Sequence, residues 1–137
     1  MKTTLGIERF CFDKKKVITS RVLSSADDYI IPLRWAAIMS NRIKADVAAS
    51  TGVHDSESVI KMILAGANAV QMVSALYKNG TDNIEKVLAE LKHWMNKNGY
   101  NKLEDFRGQL SQAENANPEL FERVQFMKYF GGYVHNQ

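Results

Sequence analysis

The sequence predicts an α/β fold in which short parallel strands alternate with helices. Segments 46–49 and 69–73 are runs of mostly small or apolar residues, as expected for strands, and each precedes a polar turn and a helical pattern. A strand, a helix and a second strand in this order are typical of a parallel sheet, because parallel strands need a long crossover connection. The nearly continuous apolar character of 69–73 also favours a parallel strand covered on both faces.

Two polar turns follow these strands and form the first candidate binding site. They are Ser50–Val53 and Val73–Ala75. Because the carboxyl ends of neighbouring parallel strands meet at one edge of a sheet, backbone N–H groups and a helix N-terminus could face one anion from both turns. The pattern therefore predicts a phosphate site. An ordinary strand–helix turn with a helix cap is the alternative interpretation.

Two arrangements of a parallel sheet fit this pattern, a doubly wound sheet and a (β/α)8 barrel. A doubly wound dinucleotide-binding fold would carry a G-x-G-x-x-G motif after one strand, and the sequence has no such motif. Phosphate-binding turns on two consecutive strands are instead frequent after strands seven and eight of barrels. The sequence therefore favours the barrel.

The first part of the chain contains a predicted strand followed by a predicted helix. Residues 5–12 suit a short strand, and 17–19 form a short extended piece within an irregular connection. Ser24 or Ser25 is expected to cap the helix, because a serine side chain accepts a hydrogen bond from one of the first backbone N–H groups.

Two further helices are predicted from their caps and from apolar residues at helical spacing. Asp55 or Ser56 is expected to cap a helix that Gly66 ends, and Thr81 a longer one that runs to about Asn98. The residues predicted to face the core are Val59, Ile60, Ile63 and Leu64 in the first helix and Ile84, Val87, Leu88, Leu91 and Met95 in the second.

The last part of the chain divides at a polar linker. Residues 102–111 read as a shorter helix, 112–117 as the linker, and Pro118 as the start of a final helix, since proline is favoured at the first helical position. We therefore expect one body over residues 1–111, and a linker with a C-terminal helix over 112–137 that packs on this body or on a partner chain.

The composition bounds the function. The chain is mildly basic, with a net charge of +3, and its only cationic run is Lys14–Lys16, so a nucleic-acid partner is not expected. No apolar run is long enough to predict a membrane span. A single cysteine fits a reducing compartment, and a cytoplasmic location is expected. The three histidines, His54, His93 and His135, lack metal-ligand spacing, so no metal site is predicted.

Several of these segments resemble one enzyme family. Residues 49–80, ASTGVHDSESVIKMILAGANAVQMVSALYKNG, and 95–110, MNKNGYNKLEDFRGQL, resemble the C-terminal end of the soluble dihydroorotate dehydrogenases. The PLRW motif at Pro32–Trp35 resembles a dihydroorotate dehydrogenase-like subgroup of that family. The resemblance covers roughly residues 6–110.

The resemblance implies an FMN-dependent oxidoreductase of pyrimidine biosynthesis that oxidises dihydroorotate to orotate within a (β/α)8 barrel. The family's T-G-G turn, which binds the FMN phosphate, falls on Ser50, Thr51 and Gly52. Its G-T pair after strand eight falls on Val73 and Ser74. Two family glycines are therefore Thr51 and Val73 here. Backbone N–H donors survive both changes, whereas a positive φ would be strained at Val73.

The resemblance also implies that the chain is a C-terminal fragment of such an enzyme. A complete barrel has about 250 residues, and this chain has 137. It would supply about strands six to eight with their helices, plus C-terminal helices. The family's catalytic base falls outside these strands, so no catalytic residue is predicted, and whether the chain is itself an enzyme stays open. Cys11 does not match the position of that base.

Three parallel strands without the rest of a barrel would leave open sheet edges and uncovered apolar faces. We therefore expect a homo-oligomer or a domain-swapped assembly. The expected ligand is FMN or another phosphate-bearing molecule. The alternatives to an enzyme portion are a non-catalytic phosphate- or flavin-binding module and an inert half-barrel that oligomerises.

Overall fold

A computed structural model describes residues 9–11, 16–18 and 23–121 of the chain. The strands are β1 (Arg9–Cys11), β2 (Lys16–Ile18), β3 (Ala48–Ala49) and β4 (Ala69–Val70). The α-helices are α1 (Ile30–Met39), α2 (Ser56–Leu64), α3 (Ser74–Asn79) and α4 (Asp82–Lys97). Three 3-10 helices cover Ala26–Tyr29, Leu103–Asp105 and Pro118–Phe121.

Strands β3 and β4 are parallel neighbours, with Ala48 opposite Ala69 and Ala49 opposite Val70. The Gln71 N–H extends the pairing by donating to the Ala49 carbonyl at 2.8 Å. This confirms the predicted α/β arrangement, in which α2 connects two parallel strands. Both strands are shorter than predicted. The expectation that the second strand is covered on both faces is wrong, because Ala69 is exposed and Val70 only partly buried.

The first strand differs from its prediction in its partner. Strands β1 and β2 form a separate antiparallel sheet in which Arg9 lies opposite Ile18 and Cys11 opposite Lys16. Only residues 12–15 connect the two strands, and so short a connection can join antiparallel strands but not parallel ones. Within the described residues, parallel pairing is therefore limited to β3 and β4, and a third parallel strand is not observed.

The helix predicted after Ser24 or Ser25 begins with a 3-10 turn before α1. Ser25 occupies the N-cap position, and its backbone N–H donates to Asp28 Oδ2 at 2.7 Å. This arrangement satisfies a backbone donor at the start of the helix. Ser24 is therefore not the N-cap residue of this helix.

Helix α2 confirms the predicted cap and stop. The Asp55 carboxylate accepts a hydrogen bond from the Ser58 N–H at 2.8 Å. Gly66 follows the C-cap residue with φ +109°, a conformation that side chains disfavour. A Cβ at Gly66 would lie 2.4 Å from Ser40 Cβ, so this glycine also permits the close packing of α2 against the end of α1.

Three groups of buried side chains hold the elements together. The first joins α1 to Phe121 near the end of the described chain, the second lies between α2 and the β3–β4 sheet, and the third joins α2 to α4 around Phe106. Their buried members are Ala36, Ala37, Ile38, Ala65 and Phe121; Ala49, Val53, Met62 and Ala67; and Ile60, Ile63, Leu91 and Phe106. Helix α2 is thus the central element, since it contributes to both of the last two groups.

Helix α4 has the predicted bounds but a narrower buried face. Thr81 is its N-cap, Asn98 its C-cap, and Gly99 follows with φ +75°. Val87 and Leu91 are buried, whereas the predicted core residues Ile84 and Leu88 are 42% and 57% exposed. Helix α4 packs on α2 and α3, and these contacts leave Ile84 and Leu88 largely uncovered.

The helix predicted over 102–111 is mostly wrong. Only Leu103–Asp105 forms a 3-10 helix, and turns follow it. Gly108 has φ +77°, which interrupts a right-handed helix, and its N–H donates to the Ile63 carbonyl at 3.0 Å. The segment thus gives its hydrogen bonds to the end of α2. Pro118 begins a 3-10 helix as predicted, and the remainder of the predicted last helix lies outside the described residues.

Candidate phosphate-binding site

The first turn, Ser50–Val53, is shaped by its backbone. Thr51 has φ +77° and Gly52 has φ +74°, both in the left-handed region. Gly52 is buried against the 3-10 helix Ala26–Tyr29, and a Cβ at this position would lie 2.1 Å from the Tyr29 backbone nitrogen. Only glycine therefore fits here. The turn is pressed onto the segment that precedes α1.

The strain in the two turns falls at a different residue from the one the sequence indicated. Val73 has φ −124°, so the positive φ considered for Val73 is not present. Thr51 carries the positive φ instead. A β-branched residue in the left-handed region is an outlier, and such strain is often retained at binding sites.

The second turn, Val73–Ala75, contributes a side chain. Val73 is exposed, whereas Ser74 is partly buried and Ala75 fully buried at the start of α3. The Ser74 hydroxyl oxygen accepts a hydrogen bond from the Ser24 backbone N–H at 2.9 Å and another from the Ser24 hydroxyl at 3.0 Å. Because both bonds use its lone pairs, the hydroxyl hydrogen of Ser74 is left to donate to another acceptor.

Ser24 links the two turns. Its hydroxyl oxygen, Oγ, accepts a hydrogen bond from the Gly52 N–H at 3.2 Å and lies 3.0 Å from Ser74 Oγ. One side chain therefore contacts both turns, 28 residues and 50 residues away along the chain. The sequence indicated Ser24 only as a candidate helix cap. Its role here depends on tertiary contacts that no local pattern reveals.

Two basic side chains also reach Ser24. His54 Nε2 lies 3.4 Å from Ser24 Oγ, and the Lys78 ammonium group donates to the Ser24 carbonyl at 2.9 Å. His54 follows the first turn, and Lys78 lies on α3 after the second. The structure brings both side chains to the place where the two turns meet.

The 3-10 helix beneath the first turn is held by α2. Lys61 on α2 donates to the Tyr29 hydroxyl at 3.0 Å and pairs with Glu57 at 2.6 Å. Burial lowers the pKa of the Lys61 ammonium, but the bonds with Glu57 and Tyr29 outweigh it and raise its pKa above the ordinary value. Tyr29 is thereby fixed against α2, and its backbone supports Gly52.

The structure thus brings together some of the five residues predicted to bind phosphate. Gly52 and Ser74 both form a hydrogen bond with the Ser24 hydroxyl, and Thr51 contributes a positive φ to the first turn. Ser50 and Val73 are exposed. The backbone N–H groups of Thr51 and Val53 donate to no backbone carbonyl among the described residues. The junction therefore offers N–H and O–H donors with two basic groups beside them, an arrangement suited to an anion.

Within the described part of the chain, no group of three or more histidine, cysteine, aspartate or glutamate side chains could hold a metal ion. No helix among the same residues is both long enough and apolar enough to cross a membrane.

No family model matches the chain. Its sequence is similar to a part of curated dihydroorotate dehydrogenases, in agreement with the resemblance described above. One relative, from Streptococcus agalactiae serotype Ia, is named putative dihydroorotate dehydrogenase A (fumarate) and is 45% identical over 60 residues, which are 44% of this chain and 19% of the relative. Proteins of the same name from Streptococcus pyogenes serotype M1 and Streptococcus uberis are 37% and 33% identical over 87 residues, 61% of this chain and 28% of each relative.

The matches therefore span about a fifth to somewhat over a quarter of the relatives' length, 19–28%. This share is consistent with similarity to a C-terminal portion of such a protein.

Proposed function

We propose that the chain is the C-terminal, phosphate-binding portion of a dihydroorotate dehydrogenase-like FMN oxidoreductase. In this proposal β3 and β4 correspond to strands seven and eight of a (β/α)8 barrel, residues 1–111 belong to that barrel, and 112–137 form a linker and helix that pack on it or on a partner. The sequence similarity to dihydroorotate dehydrogenases supports the family, and the parallel pair joined by α2 supports the barrel.

The observation that carries the proposal is the junction of the two turns. The first turn follows β3 and the second follows β4, and their residues Gly52 and Ser74 lie on either side of one hydroxyl oxygen, at 3.2 and 3.0 Å. Phosphate sites of barrels are built from the loops after strands seven and eight. If β3 and β4 correspond to strands seven and eight, these donors lie where barrels bind phosphate, which supports the proposal.

The residues of the junction fit a phosphate group. Thr51 and Val53 retain N–H groups that donate to no backbone carbonyl of the described chain, and the Ser74 hydroxyl keeps its hydrogen. In the proposal Ser50, Thr51 and Gly52 form one side of the cofactor phosphate site, and Val73 and Ser74 form the other. Lys78 supplies positive charge close to this group, and His54 Nε2 lies within reach of it.

When bound, FMN supplies the hydride acceptor for the oxidation of dihydroorotate to orotate, the step in pyrimidine biosynthesis that the resemblance implies. The residues of this chain bind and orient the phosphate end of the cofactor. We assign no catalytic residue here, and a cytoplasmic setting accompanies the proposal, in keeping with the single cysteine of the chain.

The test is flavin binding by the purified chain. We expect FMN to bind more tightly than riboflavin, which lacks the phosphate, in a fluorescence titration. Ser74→Ala removes a donor to a charged acceptor and should weaken FMN binding about tenfold. Ser56→Ala is the matched control, because the Ser56 hydroxyl bonds Glu90 on the exposed side of α2. Equal affinity for FMN and riboflavin, or no binding of either, would contradict the proposal.

A specific observation favours a second function, assembly of the chain as a half-barrel without catalysis. Val73 and Tyr77 beside the second turn are 58% and 79% exposed, and Ile84 and Leu88 on α4 are also exposed. Contiguous exposed apolar patches mark interaction surfaces, and α3 packs against α4. We propose a homo-oligomer, or a domain-swapped one, that covers them. Light scattering at micromolar concentration should give a mass above that of one chain, and a monodisperse monomer would refute the assembly.

A further inference from the structure

Ser24 Oγ lies at the point on which the polar groups of both turns converge. Gly52 N, Ser74 Oγ and His54 Nε2 lie 3.2, 3.0 and 3.4 Å from this single oxygen. Three groups that can all donate a hydrogen bond thus surround one acceptor position. Such a set suits an oxygen that only accepts, which a phosphate oxygen does.

A serine hydroxyl is a weaker acceptor for this position than a phosphate oxygen, because it is neutral. It donates its one hydrogen to Ser74 and accepts from the Gly52 N–H, while His54 Nε2 lies 3.4 Å away. A phosphate oxygen could accept from all three groups, and its charge would strengthen each bond. The same donors therefore serve an anion better than they serve Ser24.

The charges around the position also favour an anion. The Lys78 ammonium group donates a hydrogen bond to the Ser24 carbonyl oxygen at 2.9 Å. Two carboxylates lie close in sequence to Ser24 and His54, namely Asp28 and Asp55. The Asp28 carboxylate accepts a hydrogen bond from the Ser25 N–H at 2.7 Å, and the Asp55 carboxylate accepts one from the Ser58 N–H at 2.8 Å. These bonds disperse part of the negative charge of the carboxylates, which therefore repel an anion less.

We infer that a phosphate monoester binds at the position of Ser24 Oγ and does so by displacing the Ser24 hydroxyl from Gly52, Ser74 and His54. Ser24 is then an internal competitor for the phosphate, and His54 is an additional phosphate ligand. This inference rests on the proposed phosphate-binding function, and it goes beyond it by fixing the position of the anion and adding a chain segment that must move.

The competition predicts an unusual sign for a mutation at a binding site. Ser24→Ala removes the competing hydroxyl but retains the Ser24 N–H and carbonyl bonds to Ser74 and Lys78. We expect FMN to bind this variant about three- to tenfold more tightly than the unmodified chain, which corresponds to the net contribution of one hydrogen bond. His54→Ala should weaken binding, and Ser56→Ala should leave it unchanged.

A measurement on the unmodified chain avoids dependence on the stability of the variant. The amide hydrogen of Ser24 is bonded to Ser74 Oγ at 2.9 Å. If phosphate takes over Ser74, this amide should exchange with solvent faster when inorganic phosphate or FMN is present. The amide of Ser58, bonded to Asp55 at the cap of α2, is the internal reference.

The outcomes separate the inference from the function on which it rests. Tighter FMN binding by Ser24→Ala, together with faster exchange at Ser24 in the unmodified chain, supports the inference. Binding by that variant alone also supports it. If the unmodified chain binds FMN but Ser24→Ala binds equally or more weakly, Ser24 is a fixed link between the turns and the inference is overturned, while the proposed function stands. If neither chain binds FMN or inorganic phosphate, both the function and the inference fail.

Discussion

The two turns of the candidate site reach the same place by different means. The first turn is fixed by its backbone, with two consecutive positive φ angles at Thr51 and Gly52 and a glycine pressed onto the Tyr29 backbone. The second has no positive φ at Val73, which is 58% exposed, and contributes the Ser74 side chain. The comparison shows that two turns after neighbouring strands can differ in their need for glycine, because the left-handed conformation occurs in the first turn and not at Val73.

The largest expected effect comes from a side chain placed in the first turn. Gly52→Ala would put a Cβ within 2.1 Å of the Tyr29 nitrogen, and the backbone atoms there cannot rotate away. Overpacking together with the positive φ should cost about 3 kcal/mol or more of unfolding free energy, measured by chemical denaturation. The second turn, Val73–Ala75, contains no glycine.

Gly99→Ala is the matched control for this prediction. Gly99 has a similar φ of +75°, yet nothing lies within 4 Å of the position of its added Cβ. Its substitution should cost only about 1 kcal/mol, from the backbone angle alone. Equal losses at the two glycines would show that the contact with the 3-10 helix does not constrain the first turn.

A smaller effect of opposite sign is expected from Thr51→Gly. Glycine relieves the strain of a β-branched residue at φ +77°, and the unfolding free energy should rise by about 1 kcal/mol. The corresponding change in the second turn, Val73→Gly, should lower it by about 0.5–1 kcal/mol, since Val73 has no positive φ for glycine to relieve and glycine adds freedom to the unfolded chain. If both variants change stability in the same direction, the contrast between the turns is incorrect.

Much of the fold near the site could be predicted because its signals are local. Asp55 before α2, Gly66 after it, and Thr81 before α4 lie at helix ends, and a helix end depends on a few neighbouring residues. The parallel pairing of β3 and β4 followed from the length of their connection. These features needed no knowledge of distant contacts.

The errors arose where distant segments decide the structure. The segment over 102–111 gives backbone hydrogen bonds to Ile63 and Leu64 on α2, which its helical pattern could not reveal. The outer face of α4 is exposed because the elements present cover only one stripe. The expected third parallel strand is an antiparallel hairpin strand within the described residues, a result that the short connection at 12–15 could have indicated.

Only part of the candidate site could be predicted, because the rest of it depends on contacts between distant segments. Gly52 and Ser74 were found from the turns and the family resemblance. Ser24 was not, since it lies 28 residues and 50 residues from its partners and has the local appearance of a helix cap. A positive φ was considered at Val73 but is found at Thr51. Backbone angles of a turn depend on its packing, here against Tyr29, and a local pattern does not reveal that packing.

The central claim is that the two turns act as one phosphate site. The most direct test is a nitrogen-15 NMR titration of the full chain with FMN, observing the backbone amides of Gly52, Val53 and Ser74. We expect the amide resonances of both turns to shift together with one dissociation constant, and we expect riboflavin not to shift them. Shifts confined to one turn, or identical shifts with riboflavin, would contradict it.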